Sequence, residues 1–551
     1  MSAPLLHLIA ALVSASPTPS PIYAEADTLW RVGLTRGVFL DTSQRNSPMG
    51  SEVSTSPWIR TASGNVLAEI RKIRYSVSGN RDFRLHVLAS ELDGALNSDL
   101  PFSINEGTLW AGRGISGRSQ VGVALSYGSV TAVLAPEIWG TQNLDFQTFS
   151  YPENVPRPGD TEGRMRHPLA SPFHYPPHSI DLPQRLGYDS GLYLGPGQSS
   201  LSWESASVRV GVATESFRWG PSIRNPFLVS NNAQGFPRLF AQTTKPFESP
   251  IGDVHAQWIL GRLEESSYFD NDPENDHRSL SGVIVTLNPS FEPNLSIGIG
   301  RVVYAPALGL MDLPTAAFDF VRSVGPVASA TSDEQRPLGP DRIFSIFAHW
   351  SFPDAGLETW IEWGRSEEPR SLRDFLEAPH HSRGYTLGLR HNQPKTNSAR
   401  LAIEAEITSL EPSQSFRLKK HGEWYTSRRV IQGYTHKGRV VGAGIGPSGS
   451  SQWIAVDWVA PRWNLGLFGT RMRLENEALY SYFPEYRRAD VTLLAGVRGA
   501  GKIGPFRFEV AWAESIRLNY LFQTKPLPND AYRGVDLRNQ VLRLSFSATG
   551  A

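Results

Sequence analysis

The 551-residue sequence contains no cysteine, so the chain can form neither a disulfide framework nor a thiolate metal site. It also has no net charge, because 53 lysine and arginine residues balance 53 aspartate and glutamate residues. Proteins that bind nucleic acids or anionic membrane surfaces through electrostatics depend on a strongly basic field. The composition therefore argues against both classes, and we expect no nucleic-acid partner.

Two stretches could be taken for membrane-spanning helices, and we interpret neither as one. Residues 5–13 are apolar, but a spanning helix needs about 20 such residues. Small residues that suit signal peptidase follow this run, so we expect residues 1–26 to be a signal peptide and residues 27–60 an N-terminal extension. Residues 119–136 carry no charge, but their apolar side chains alternate about a turn at Gly128, which predicts two strands.

The hydrophobic pattern has a period of two almost everywhere, which is typical of β-strands. In residues 401–408, apolar side chains alternate with Ala402, Glu404, Glu406 and Thr408. The same alternation recurs at residues 66–77, 83–89, 205–213, 254–263, 280–287, 295–299, 343–350, 357–363, 384–390, 452–459, 464–473, 490–498, 506–513 and 537–546. None of these runs has clear helical spacing, so the chain is predicted to be all-β.

Such strands fit either a soluble sandwich or propeller, or an outer-membrane barrel whose apolar face meets lipid. A propeller would usually show a repeat of about 40 to 50 residues, and we find none. Small and charged residues share the polar face, as a water-filled lumen requires. Tryptophans near the predicted strand ends suggest interfacial girdles: Trp110, Trp350, Trp363, Trp453, Trp458 and Trp512. These features favour a transmembrane antiparallel β-barrel over residues 61–551, located in the outer membrane and surrounded by its lipid.

Two proline-rich stretches interrupt the alternation, at residues 143–197 and 306–341. Proline cannot donate a hydrogen bond to a strand ladder, so neither stretch suits the barrel wall. We expect both to be long loops that lie outside the membrane or partly fill the lumen as a plug.

Motifs for catalysis and metal binding are weak. The nearest approach to a Gly-x-Ser-x-Gly elbow, at residues 446–450, lacks the last glycine and is interpreted as a turn. The acidic run at residues 270–276 lacks the glycine of a calcium loop, and a solvated hairpin explains it better. His380 and His381 follow a proline in a polar turn. We therefore expect no metal site and no cofactor.

Two carboxylate pairs leave an enzymatic alternative open. Glu358 and Glu362, and likewise Glu404 and Glu406, lie on one face of a predicted strand, at spacings a glycoside hydrolase could use. The same placement is expected of lumen charges paired with arginines on neighbouring strands. We favour ion pairs, and we expect no catalytic residues.

The most specific motifs of the sequence do not correspond to a known catalytic pattern. Residues 215–221 read Glu-Ser-Phe-Arg-Trp-Gly-Pro, and residues 230–237 read Ser-Asn-Asn-Ala-Gln-Gly-Phe-Pro. Together they resemble the central signature of the capsule assembly Wzi family. Further matches follow the family order at residues 105–114, 180–185, 261–266, 356–364, 374–388 and 434–447. The resemblance covers about residue 60 to the C-terminus and implies an outer-membrane barrel of about 18 strands that binds capsular polysaccharide.

Within the two central motifs and the short segment between them, Trp219, Arg224, Asn231 and Asn232 are the candidate glycan-binding residues. Sugar recognition combines aromatic faces with planar hydrogen-bonding groups, which these side chains supply. The alternative is a structural turn that packs a loop into the lumen. The expected function is non-enzymatic binding of capsular or related extracellular polysaccharide, in support of its surface attachment or assembly. A passive porin-like channel and a barrel hydrolase acting on glycan or lipid are the alternatives.

Overall fold

The computed structural model describes most of the predicted barrel. The described residues are 59–61, 83–88, 90–148, 180–269, 273, 275–307, 309, 312–321, 339–367, 371–392, 399–413, 423–427, 429–460, 462–476, 488–526 and 532–548. The predicted signal peptide, most of the extension and the alternating run at residues 66–77 lie outside them. None of the helices within these ranges has the length and apolar character needed to cross a bilayer.

Antiparallel strands dominate the described residues. In chain order the strands are β1 (Ile59–Thr61), β2 (Phe83–Val87), β3 (Ser90–Asn97), β4 (Gly114–Gln120), β5 (Val123–Tyr127), β6 (Val130–Leu134), β7 (Glu137–Thr141), β8 (Gly191–Gly195), β9 (Ser200–Glu204), β10 (Val208–Ala213), β11 (Phe217–Trp219), β12 (Arg238–Thr243), β13 (Phe247–Ser249), β14 (Gly252–Glu264), β15 (His277–Pro289), β16 (Leu295–Pro306), β17 (Asp341–Phe352), β18 (Leu357–Arg365), β19 (Arg383–Asn392), β20 (Arg400–Ser409), β21 (Thr435–His436), β22 (Arg439–Val440), β23 (Ser450–Val459), β24 (Trp463–Leu474), β25 (Asp490–Ile503), β26 (Phe506–Leu518), β27 (Thr524–Pro526), β28 (Tyr532–Gly534) and β29 (Leu537–Ala548). The helix α1 (Leu372–Glu377) and short 3-10 turns at Pro314–Ala316, Asp319–Val321, Pro353–Ala355 and Tyr520–Phe522 lie between them.

The large sheet closes on itself. The last strand, β29, pairs with β3, with Leu542 opposite Leu96, so the wall has no break at the chain ends. Some wall strands are interrupted by a few residues. β2 and β3 follow one another along the wall and pair with β5 and β4, respectively. β4 and β5 in turn pair with β7 and β6, respectively. The antiparallel barrel predicted from the period of two, the composition of the polar face and the absence of a longer repeat is confirmed, while the number of about 18 strands stays a prediction.

The polarity of the barrel is inverted relative to a soluble protein. On β26, Phe506, Phe508 and Val510 are exposed, whereas Arg507 and Glu509 between them are buried. A soluble sandwich would bury the apolar face instead. Because an exposed apolar wall is stable only against lipid, the fold is that of an outer-membrane β-barrel.

The tryptophans divide between the two faces. Trp350, Trp458 and Trp512 are exposed on the outer wall, as a girdle requires. The prediction is wrong for Trp110 and Trp453, which are buried inside the barrel. Trp453 lies on the inward face of β23, where its ring stacks on that of Phe468. Its position near a strand end therefore did not determine which face of the barrel it occupies.

The barrel has one end with long connections and one with short turns, here called the long-loop end and the short-turn end. Two residues join β5 to β6, and two join β25 to β26, whereas the connections after β7, β16 and β20 are long. The first wall strand, β2, begins at the short-turn end, and the last wall strand, β29, ends there. In outer-membrane barrels the short turns face the periplasm, which places the long loops outside the cell.

The two proline-rich stretches differ from simple loops. The prediction that neither stretch forms barrel wall is wrong for the end of the first, residues 143–197, where β8 pairs with β7; β8 itself contains no proline, so its ladder is not interrupted. In the second, residues 306–341, the described part lies against the outer wall. There the carbonyl of Ala317 accepts hydrogen bonds from outward-facing Trp258 and Ser281 at 2.8 and 3.1 Å.

Candidate functional site

Two segments enter the lumen from the long-loop end, residues 217–237 and residues 424–427 with 429–446, here called the plug. They belong to one hydrophobic core with inward side chains of the wall. From the plug the core includes Trp219, Phe227, Leu228, Val229, Phe236, Trp424, Tyr425, Tyr434, Val440 and Val441, and from the wall Ile259, Leu280, Ile284, Tyr304 and Phe347. β1 also reaches the plug, because it pairs with β11. The plug is therefore packed like the core of a soluble domain.

Glu406 ties the first plug segment to β20. Its carboxylate accepts hydrogen bonds from the backbone N–H groups of Ile223, Arg224 and Asn225, at 2.6, 2.9 and 3.2 Å. The indole N–H of Trp360 donates to the same carboxylate over 3.1 Å. A buried carboxylate with this many donors is a strong anchor, because charge-assisted hydrogen bonds are about twice as strong as neutral ones.

Glu362, on β18, forms a second anchor for the same segment. It accepts a hydrogen bond from the hydroxyl of Ser222 over 2.6 Å and another from the backbone N–H of Phe227 over 3.2 Å. Glu358, its partner in the sequence-based hydrolase hypothesis, lies instead 3.6 Å from His349. Glu362 therefore fixes the plug, and the two carboxylates contact different groups.

Glu404 has a different environment from Glu406, although both face the lumen. Its carboxylate accepts hydrogen bonds from Arg390 Nε over 3.1 Å and from the indole of Trp453 over 3.3 Å. An ion pair between Asp457 of β23 and Arg498 of β25, which reaches across Gly466 of β24, lies in the same part of the wall. The lumen charges of this region are thus paired across strands, as the sequence pattern favoured.

Trp219 and Arg224 are buried in separate parts of the plug. The indole N–H of Trp219 donates to Gln257 of β14 over 2.6 Å. The guanidinium carbon of Arg224 lies 4.0 Å from the ring centroid of Trp453, a cation–π contact on β23. The structure therefore does not bring these two candidates together on one open surface.

Asn231 and Asn232 connect three pieces of chain. The side-chain amide of Asn231 donates to the carbonyl of Asn105 over 3.3 Å, and the amide of Asn232 donates to the carbonyl of Val440 over 2.9 Å. The backbone N–H of Gly107 donates to the carbonyl of Asn231 over 2.8 Å. These contacts are those expected of loop packing. Contact of the four candidates with a glycan stays a prediction, and their burial means that the plug would have to open first.

Titratable groups inside the plug region are also buried. Burial raises the pKa of Asp181, which accepts hydrogen bonds from the backbone and hydroxyl of Ser266 at 2.7 and 2.5 Å. Burial lowers the pKa of Arg439 to about 10, and its guanidinium donates to the carbonyls of Gly107 and Leu109 at 2.9 and 3.0 Å. Arg439 therefore joins the segment after β3 to the plug, whereas Asp181 joins the residues after β14 to it through Ser266 and the backbone N–H of Gly438.

The sequence did not reveal the anchoring roles of Glu362 and Glu406. The available signal was their place on the polar face of strands that follow the motif at residues 215–221. That signal predicts that both side chains face the lumen, but it does not predict which groups they hydrogen-bond to. In the described residues no cluster of histidine, aspartate and glutamate side chains is arranged to hold a metal ion.

No protein-family model matches the sequence, and no curated protein matches it. Among solved structures, the fold is similar to that of Wzi from Escherichia coli, an outer-membrane protein involved in group 1 capsule assembly and a carbohydrate-binding β-barrel. The TM-score is 0.53 at 10% identity, over 95% of this chain and 97% of Wzi. OccK5 (OpdH) of Pseudomonas aeruginosa matches with a TM-score of 0.38 at 10% identity, over 85% of this chain and 98% of the other. A BenF-like porin of Pseudomonas fluorescens matches with a TM-score of 0.37 at 7% identity, over 85% and 99%. The chain is an outer-membrane β-barrel with the fold of the capsule-assembly protein Wzi, which confirms the fold that its motifs implied.

Proposed function

We propose that the chain binds capsular or related extracellular polysaccharide, without catalysis, and supports its attachment or assembly at the cell surface. The observation that carries this proposal is the plug. A lumen filled by a hydrophobic core and tied to the wall by Glu362 and Glu406 suits a rigid scaffold for a surface ligand. The likeness of fold to a carbohydrate-binding barrel supports the same conclusion by analogy.

Two measurements test the proposal. The purified, folded barrel should retain capsular polysaccharide of its host strain in a pull-down, and the boiled protein should not. A strain that lacks the gene should release more capsule into the medium than its parent. Failure of the folded barrel to retain any extracellular polysaccharide of the host, together with normal capsule retention in the deletion strain, would contradict the proposal.

A passive porin-like channel is the second candidate, because it shares the barrel architecture. The packed plug predicts that little current passes through the protein in a planar bilayer. Steady conductance comparable with that of an open porin would favour the channel instead.

A hydrolase acting on glycan or lipid is the third candidate. The ion pair of Glu404 with Arg390 and the contact of Glu358 with His349 account for both carboxylates without catalysis. We therefore expect the native protein to hydrolyse neither class of substrate. Hydrolysis that is lost in Glu358→Gln or Glu404→Gln would reverse this conclusion.

A further inference from the structure

The barrel wall has a notch at the long-loop end. β10 ends at Ala213, opposite Ser200 of β9, and β12 begins at the same level. β8 continues beyond that level along β7, and β14 extends past the end of its pairing with β12. Within the described part of the chain, no strand pairs with the second edge of β8. We call the space between β8 and β14, above β10 and β12, the wall notch.

Tyr193 of β8 faces the lumen at this notch. It lies opposite Trp139 of β7, and the two rings stack with centroids 4.2 Å apart. Its neighbours Leu192 and Leu194 point outward and are 78% and 76% exposed. Trp139 is only 8% exposed, whereas Tyr193 is 38% exposed. Tyr193 is therefore a partly exposed ring on the inward face of β8, beside the notch, and it is not part of the lipid-facing girdle.

Two further tyrosines lie beside Tyr193. The side chain of Tyr268, which follows β14, lies close to that of Tyr193 across the notch. A Cβ atom at Gly187 would lie 3.0 Å from the Tyr268 hydroxyl, and Gly187 has a φ of +76°, so glycine permits this close approach. The next residue, Tyr188, is 67% exposed. We call Tyr188, Tyr193 and Tyr268 the tyrosine patch.

The segment that carries Tyr188 is held firmly. The side-chain amide of Asn143 contacts the carbonyls of Leu186, Gly187 and Asp189, each at 3.0 Å. Arg185 donates to the carbonyls of Asn143 and Tyr188 at 2.7 and 2.9 Å. An exposed aromatic ring on a fixed backbone loses little conformational entropy when a ligand binds.

We propose that the tyrosine patch is the saccharide-binding surface of this barrel, an inference that rests on the proposed function. Its three phenol groups combine apolar faces, on which a pyranose ring can stack, with hydroxyls that can donate and accept hydrogen bonds. Asp189, exposed beside Tyr188, adds a carboxylate acceptor for sugar hydroxyls. The ligand is a polysaccharide chain that reaches the patch from the cell exterior, since the notch opens at the long-loop end.

The test compares binding of the host's purified capsular polysaccharide by detergent-solubilised wild type and variants. We expect Tyr188→Ala and Tyr193→Ala each to weaken binding about tenfold, as truncation of a central aromatic contact does. Tyr193→Phe keeps the ring and loses only the hydroxyl, so its loss should be smaller. Phe291→Ala is the matched control, because Phe291 is 83% exposed at the short-turn end. Heat-modifiable migration on each preparation verifies that the barrel is folded.

The outcomes separate the two proposals. Wild-type binding with equal binding by the folded alanine variants would overturn the tyrosine patch and leave the proposed function standing. No binding by folded wild type would overturn both. A third arm uses detergent-dispersed phospholipid, which carries no sugar, in place of the capsular polysaccharide. Unchanged polysaccharide binding together with loss of phospholipid binding in the alanine variants would identify the patch as a lipid contact and overturn the saccharide assignment.

Discussion

The backbone N–H of Ile223 donates to the carboxylate of Glu406 over 2.6 Å, although the two residues are 183 positions apart in the sequence. This contact joins the plug to the wall strand β20 without any local sequence relationship between them. The plug and the barrel are therefore expected to unfold as one unit.

Loss of the Glu406 anchor should destabilise that unit. Glu406→Ala strands three backbone N–H groups of the plug, and stranding a buried donor costs about 1 to 3 kcal/mol. We expect the free energy of unfolding in denaturant to fall by at least about 2 kcal/mol and conductance in planar bilayers to rise. Glu248→Ala, at an exposed carboxylate on β13, is the control. Unfolding and conductance equal to wild type in Glu406→Ala would show that the plug is held by other contacts.

A charge on the outer wall should impair assembly according to its depth. Ile454, on β23, is 56% exposed and points to lipid, so Ile454→Arg should cost about 2 to 4 kcal/mol. Phe291→Arg, at the short-turn end, should cost little, since arginine is tolerated near the interface. Folded yield in lipid vesicles measures both, and equal yields would mean that the face of β23 is assigned wrongly.

The asparagine pair separates packing from recognition. Asn231→Ala with Asn232→Ala removes amide donors to Asn105 and Val440, so we expect a lower folded yield, at about 1 to 3 kcal/mol for each stranded carbonyl. Polysaccharide binding by the protein that does fold should be close to wild type. Normal yield with lost binding would instead assign these amides a direct contact with the glycan.

Acid should loosen the plug through His436. Burial, and then the charges of Lys437 and Arg278, hold the pKa of His436 well below its usual range, and its Nδ1 accepts a hydrogen bond from the backbone N–H of Glu264 over 3.0 Å. The unfolded chain takes up a proton below about pH 6.5 and the folded chain does not. Stability is thus complete above that pH and falls as the pH decreases, by up to about 2 kcal/mol at pH 5.

His436→Asn isolates this contribution, because its Oδ1 atom can accept the same hydrogen bond without titrating. Denaturant unfolding at pH 7 and pH 5 should show a smaller difference for the variant than for wild type. The same difference in both proteins would trace the pH dependence to other groups.

The strands were predictable because the alternation of apolar and polar residues is visible within each segment. Residues 401–408 and 506–513 alternate apolar side chains with charged or small ones, and their apolar faces point outward as predicted. Trp453 was misassigned because an indole suits either face, and its direction depends on the stack with Phe468 and on Arg224. The motifs located the plug, but the partners of its residues come from distant strands. The tyrosine patch had no sequence signal, since it results from the short length of β10 and β12.

The seam between the last strand and β3 places a constraint on biogenesis. Arg543 and Asn97, which meet there, are 446 positions apart. Until the C-terminal strand arrives, β3 presents an open row of backbone donors and acceptors, the kind of edge that recruits other chains. We therefore expect a chaperone or insertion machinery to cover this edge until β29 has paired with it.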